Sequence, residues 1–284
     1  YNMSVQHLEE KLEQAEKDGR LPKIVIPVHF GGQPCDMPAI HLLSDKYGFK
    51  IIEDASHAIG ASYNQTKVGS CGHSDVTVFS FQPVKIITTG EGGIALTNDT
   101  TLANHLRRLR IHGITNDKEL MHSRPNNEIW NYQQVELGFN YRMTDIQAAL
   151  GLSQMTRLDE YVSRRHEIAA RYDSELSNLP IITPWHPLNT YSSYHLYPIR
   201  LREDGVEKQQ RQIYDELWKM GIAVNLHYVP VHRQPYYENL GFREGDFPNA
   251  EQFHREVISL PMFPLLTDGQ QESVIRALEM SIKN

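Results

Sequence analysis

The sequence predicts an α/β protein: a large domain built on a mostly parallel sheet with helices on both faces, followed by a small α+β domain. Three observations carry this expectation. Short apolar runs alternate with helical stretches along residues 1–97. A proline-free stretch, 143–176, then keeps helical periodicity, as a helix bridging two domains would. Beyond it the pattern changes to an alternating strand, YSSYHLYPIRL (191–201), among further helices. We expect the large domain to cover residues 1–160 and the small one 161–284.

The elements follow in order. YNMSVQHLEEKLEQAEKDG opens on an amphipathic helix, with Val5, Leu8, Leu12 and Ala15 on one stripe. No strand or start methionine precedes it, so the chain reads as cut into rather than begun. KIVIPV (23–28) is a continuous apolar run of the kind found in a buried parallel strand. Asp36 is a plausible N-cap for a helix through MPAIHLLSDKYG that stops at Gly48, and KIIED (50–54) supplies the second strand of a β-α-β unit. Further short strands are expected at VTVFSF (76–81) and GIALT (93–97). Within the long helix Ile146, Leu150, Met155, Leu158, Val162, Ile168 and Tyr172 recur at three- and four-residue steps. The small domain then reads as the strand 191–201, a helix ending near Gly221, a strand IAVNLHYV (222–229), and helices near 249–258 and 267–282.

Composition removes several function classes. The 28 basic residues are outnumbered by 35 acidic ones, a formal charge of −7, so neither a nucleic acid nor an anionic membrane is expected as partner. Two cysteines, Cys35 and Cys71, are too few for a disulfide framework. With no apolar run long enough to span a bilayer, a cytoplasmic location is expected.

The chemistry centres on SFQPVKIITTGEGG (80–93), where one lysine stands between a strand-like run and a cluster of glycines. In a Walker phosphate loop the lysine follows the glycines; here it precedes them, so that mechanism fails on order. Lys85 sits just past a strand's carboxyl end, where open α/β sheets place their ligand crevices. Asp54 ends KIIED at the same presumed sheet edge, with His57 three residues on. Asp54 reads as an N-cap for the next turn or, paired with Lys85, as half of a pyridoxal phosphate site. That cofactor needs a lysine to form its Schiff base and a carboxylate to keep its ring nitrogen protonated.

The segments VIPVHFGGQPCDM, IIEDASHAIGASY, VFSFQPVKIITTGEGG, LGFNYRMTDIQAALG and LHYVPVHRQPYY resemble the DegT/DnrJ/EryC1/StrS family of pyridoxal-phosphate-dependent nucleotide-sugar aminotransferases, from the first residues to the last helix. Together with SLPMFPLLT they look most like the branch that aminates UDP-4-keto-6-deoxy-N-acetyl-β-L-altrosamine on the route to pseudaminic acid. The resemblance implies fold type I of the pyridoxal-phosphate transferases, the aspartate aminotransferase-like fold. It implies L-glutamate as amino donor, a nucleotide sugar as acceptor, and a homodimer whose active site is shared between subunits. Residue by residue, it makes Lys85 the Schiff-base lysine, Asp54 the partner of the pyridinium nitrogen, and His57 a neighbour of the cofactor ring. Ser80 matches the serine that binds the cofactor phosphate, and Asn140 an asparagine that reaches the cofactor phosphate of the neighbouring subunit.

Other residues keep two readings. Arg142 is placed to meet a substrate phosphate or carboxylate, or to make a structural pair. His227 and His232 are spaced like metal ligands, but no third and fourth ligand stand nearby, so substrate contact or structure is preferred and no metal is expected. Tyr228 could stack on a sugar or base, or pack. Two departures from the family pattern stand out: Gln82 occupies a position that is often His, and the segment carrying a phosphate-gripping loop and a ring-stacking aromatic would precede Tyr1. The alternatives are therefore a catalytically incompetent remnant or partner subunit, and an aminotransferase for a dTDP-linked or 3-keto sugar.

Overall fold

Ser4 starts the first helix, α1 (Val5–Lys17), by accepting the His7 N–H on its hydroxyl. The computed structural model describes residues 1–123, 128, 130–202 and 209–283. They fall into two units: Tyr1–His29, Cys35–Ile59 and Thr66–Thr156 form the first, and Phe30–Pro34, Gly60–Gln65 and Arg157–Asn284 the second.

In the first unit, β1 (Ile24–Val25) is followed by α2 (Met37–Tyr47), whose ends are those the sequence predicts. Asp36 accepts the Ala39 N–H at its start, and Gly48 closes it in the left-handed conformation at φ 77°. β2 (Lys50–Asp54), β3 (Val76–Ser80) and β4 (Gly93–Leu96) complete a sheet of order β1-β2-β3-β4. The first three strands are parallel and β4 runs antiparallel to β3. Leu12, Val25, Ile40, Leu43, Phe49 and Ile51 form a core that joins α1 and α2 to one face of this sheet. The run 23–28 differs from expectation. Pro27 has no N–H to give the ladder, so regular pairing stops at Val25 and resumes as a single bridge between Val28 and Asp54. Its outer side, Ile24, Ile26 and Val28, is exposed. Two helices finish the unit: α3 (Thr100–Leu109), capped by Asp99, and α4 (Asp145–Met155), opened by a reciprocal Thr144–Gln147 capping box.

The single long helix expected over 143–176 is two helices. α4 ends at Thr156, whose hydroxyl turns back to the Ser153 carbonyl, and Arg157 leaves helical geometry (φ −111°, ψ 8°) before α5 (Leu158–Glu175) begins. The periodic apolar residues also part company there. Val162, Ile168 and Tyr172 of α5 are buried, whereas Ile146 of α4 is 84% exposed.

In the second unit, β5 (Ile181–Ile182), β6 (Tyr197–Leu201) and β7 (Val257–Leu260) form an antiparallel sheet with β6 at its centre. α5, α6 (Gln210–Lys219) and α8 (Asp268–Lys283) contribute Ile168, Tyr172, Ile213, Leu217 and Leu278 to the core against Tyr197 and Ile199. α7 (Pro248–Glu256) leads directly into β7. The predicted strand 222–229 is absent, with one bridge, Asn225 to Ser259, in its place. The third strand is instead VISL, buried at all four positions and therefore without the alternation that marks a strand in sequence.

Candidate active site

The site is built where β2 and β3 end. These neighbouring parallel strands pair Asp54 with Val78, so Asp54 and Ser80 stand at adjacent carboxyl ends of one sheet. Asp54 is held on both sides: its N–H donates to the Pro27 carbonyl (2.9 Å), its carbonyl accepts from His29 N–H (3.0 Å), and its carboxylate accepts the Ser56 N–H (3.0 Å). His57 follows in the same turn and is buried.

Lys85 lies in the loop that leaves β3. Phe81 cinches this loop: its N–H donates to Gly92 O (2.9 Å), and its carbonyl accepts from Thr89 N–H (2.9 Å) and the Thr88 hydroxyl (3.0 Å). Helix α4 grips the loop from outside, Gln154 accepting Thr88 N–H at 3.0 Å and Gln147 donating to Glu91 O at 3.0 Å. Gly92 is needed for this closure, since at φ 154° a Cβ would lie 2.5 Å from the Thr89 hydroxyl and 2.6 Å from the Met143 methyl. Half-burial holds the Lys85 amine below its ordinary pKa, and the Asp54 carboxylate pulls it back upward. The Asp54 charge thus reaches the Lys85 amine.

The remaining predicted residues come from other segments of the chain. Asn140 is exposed on a loop of the first unit and bridged through its backbone to Ile111; its two sequence neighbours, Phe139 and Tyr141, stack on each other (4.9 Å). Arg142 is exposed, with Asp145 3.6 Å away. The other three belong to the second unit. His227 bonds the Ser259 hydroxyl (2.8 Å), Tyr228 is exposed, and His232 is buried against Glu251 at 2.7 Å. His227 and His232 therefore have separate partners. Among the described residues no group of three or more His, Cys, Asp or Glu is placed to hold a metal ion.

The sequence matches the DegT/DnrJ/EryC1/StrS aminotransferase family over residues 1–279. The chain belongs to this family. Among its relatives, the spore coat polysaccharide biosynthesis protein SpsC of Bacillus subtilis is 38% identical over 264 residues, 92% of this chain and 67% of SpsC. Helicobacter pylori PseC, an aminotransferase involved in the biosynthesis of pseudoaminic acid, superposes with a TM-score of 0.88 at 30% identity, over 99% of this chain and 71% of PseC. The Streptococcus pneumoniae protein Spr1654, described as a sugar aminotransferase and captured in its PMP form, gives 0.87 at 30% identity over 99% of this chain and 73% of its own. The fold is that of the pyridoxal-phosphate fold type I aminotransferases, and the family is one of sugar aminotransferases.

The residues around β2 and β3 fit a pyridoxal group. They offer an amine that burial shifts toward its neutral form, a carboxylate in electrostatic reach of it, a hydroxyl on the adjacent strand end, and open space beside the Gly90 backbone. Sequence reasoning missed the loop grip from Gln147 and Gln154, which periodicity assigns merely to a helix surface. It also missed His29 and Glu53. Glu53 carried a signal, as an acidic residue inside the apolar strand KIIED.

Proposed function

We propose that this DegT-family chain works as a pyridoxal-phosphate-dependent aminotransferase that moves an amino group from L-glutamate to a nucleotide-linked 4-keto-6-deoxy sugar. The preferred acceptor is UDP-4-keto-6-deoxy-N-acetyl-β-L-altrosamine, a reading supported by the likeness to PseC. The observation that carries the proposal is the placing of Asp54 and Ser80 at the adjacent carboxyl ends of β2 and β3, with Lys85 in the loop that leaves β3 and within reach of the Asp54 charge.

When bound, pyridoxal phosphate supplies the electron sink for the charge left as the donor loses its α-proton. Lys85 Nζ would hold the cofactor through its carbonyl carbon, because burial raises the amine's neutral, nucleophilic fraction. As a free amine, Nζ would take the proton from the donor's α-carbon. In the second half-reaction it carries a proton in the opposite sense, to the sugar carbon that receives nitrogen. Asp54 would partner the cofactor's ring nitrogen, where a carboxylate favours the protonated pyridine. Ser80 and His57 are assigned to the cofactor phosphate and the ring edge. Asn140 is assigned to the cofactor phosphate of a second copy, a role supported by its exposed place on the loop. On this reading the working unit is a homodimer.

The test is the visible spectrum of the chain with pyridoxal phosphate, before and after L-glutamate, in wild type and Lys85→Ala. A coloured band that bleaches with glutamate and is missing in Lys85→Ala is the expected result. A wild type without the band would sink the proposal, and a panel of keto-sugar nucleotides then decides the acceptor.

A further inference from the structure

Behind Asp54 lies a buried polar cluster that does not itself face the reacting groups. His29 is 0% and Glu53 5% exposed. His29 Nδ1 accepts the Cys35 backbone N–H at 3.0 Å, and a backbone N–H can only donate. The other ring nitrogen, Nε2, therefore carries the proton and donates to Glu53 Oε2 at 2.8 Å. Glu53 Oε1 accepts from the Thr77 hydroxyl at 3.0 Å and, in a short bond, from the Ser74 hydroxyl. Burial alone would push the Glu53 carboxyl up; the bonds from His29, Ser74 and Thr77 outweigh it and hold the group below its ordinary value. The carboxylate keeps its charge.

The members of this cluster come from the segments that build the site. His29 follows β1, Glu53 is the penultimate residue of β2, and Thr77 belongs to β3, three residues before Ser80. Successive residues of a strand point to opposite faces, so anchoring the Glu53 side chain on one face fixes the direction of Asp54 on the other. The backbone repeats the link, since His29 N–H donates to the Asp54 carbonyl. Apolar residues of equal volume often serve stability as well as or better than such a buried polar cluster. What the polar cluster adds is direction.

We propose that Glu53 and His29 are positioning residues that hold the Asp54 carboxylate in its working relation to the Lys85 amine. The inference rests on the reading of Asp54 and Lys85 given above. Its test is the titration midpoint of Lys85 in the full chain without cofactor, read by NMR of ¹³C-methylated lysines and assigned with Lys85→Arg. His29→Asn keeps an acceptor for Cys35 N–H but withdraws the donor from Glu53. It should lower the Lys85 midpoint, in the direction that Asp54→Asn does. His29→Gln, whose amide nitrogen reaches the Nε2 position, should restore the midpoint. In the cofactor-loaded enzyme His29→Asn should lose about 10²-fold in turnover, the size expected when a reacting group is displaced by about 1 Å. An unmoved midpoint in His29→Asn overturns the proposal, as does a His29→Gln that behaves like His29→Asn. If His29→Asn does not fold, Glu53→Gln carries the same measurement. Because the titration needs no cofactor, its outcome is separable from the aminotransferase reading, which falls on the missing band instead.

Discussion

Lys85 carries two opposed influences, burial that disfavours its ammonium form and the Asp54 carboxylate that favours it. Their balance gives the residue-scale predictions. Removing the carboxylate in Asp54→Asn leaves burial unopposed, so the Lys85 midpoint should fall below its wild-type value; a rise would show that the two groups do not interact as described. In catalysis, Lys85→Ala should cost roughly 10²–10⁴-fold from lost proton transfer alone, measured as single-turnover loss of the donor α-proton. Near-normal exchange of that proton in Lys85→Ala would remove the lysine from the mechanism. Lys85 and Asp54 could be singled out in sequence because Asp54 ends one strand, Lys85 lies just past another, and their residue types match one cofactor's needs. Glu53 and His29 were not. Their meaning depends on a hydrogen-bond partner 24 residues away, which no local pattern encodes.

At the scale of elements, the loop 81–92 and helix α5 show how tightly backbone is held by a few side chains. Gly92 sits at φ 154° with Thr89 and Met143 against the place a Cβ would occupy, so Gly92→Ala should destabilise the first unit by about 1–3 kcal/mol. Urea unfolding checks this, and a variant within experimental error of wild type would mean that the loop relaxes freely. In α5, Arg165 is 5% exposed, and its Nη1 donates to the carbonyls of Tyr194 (2.9 Å), Met262 (2.8 Å) and, at longer range, His195 (3.3 Å). Burial pushes its guanidinium down to about 10, yet it remains charged at neutral pH. Arg165→Met would leave those carbonyls without this donor and should cost roughly 3 kcal/mol, read from the fluorescence of Trp218 during denaturation. Helix periodicity foretold the buried face of α5 but not the break before it. Thr156 and Arg157 are ordinary helix residues, and the break follows from a capping bond and from which apolar face finds a core. The strand at 257–260 escaped notice for the complementary reason, because burial on both faces erases alternation.

For the whole molecule, the two units answer acid differently. In the second, burial depresses His166, His186 and His254, taking His186 down to about 4 with a further push from the nearby His166 charge. A histidine whose folded pKa is lowered binds its proton more readily unfolded, so stability falls as pH drops from the ordinary 6.5 toward about 4. Asp173 runs the other way, being raised by burial against its bond from Tyr197, but it acts only near and above the ordinary carboxylate value of 3.8. In the first unit the perturbed acids are Glu53, Asp75 and Glu136, all lowered, and their contribution is complete above the ordinary carboxylate range and lost only below it. The second unit should therefore soften first on acidification. Hydrogen exchange followed from pH 7 to about 4.5 should show protection falling in β6 and the segment 192–195 while β2 and β3 keep theirs. His186→Asn should flatten the pH dependence in the second unit without touching the first. Loss of protection in β2 before β6 would reverse the order and place the acid-sensitive groups around Glu53 instead.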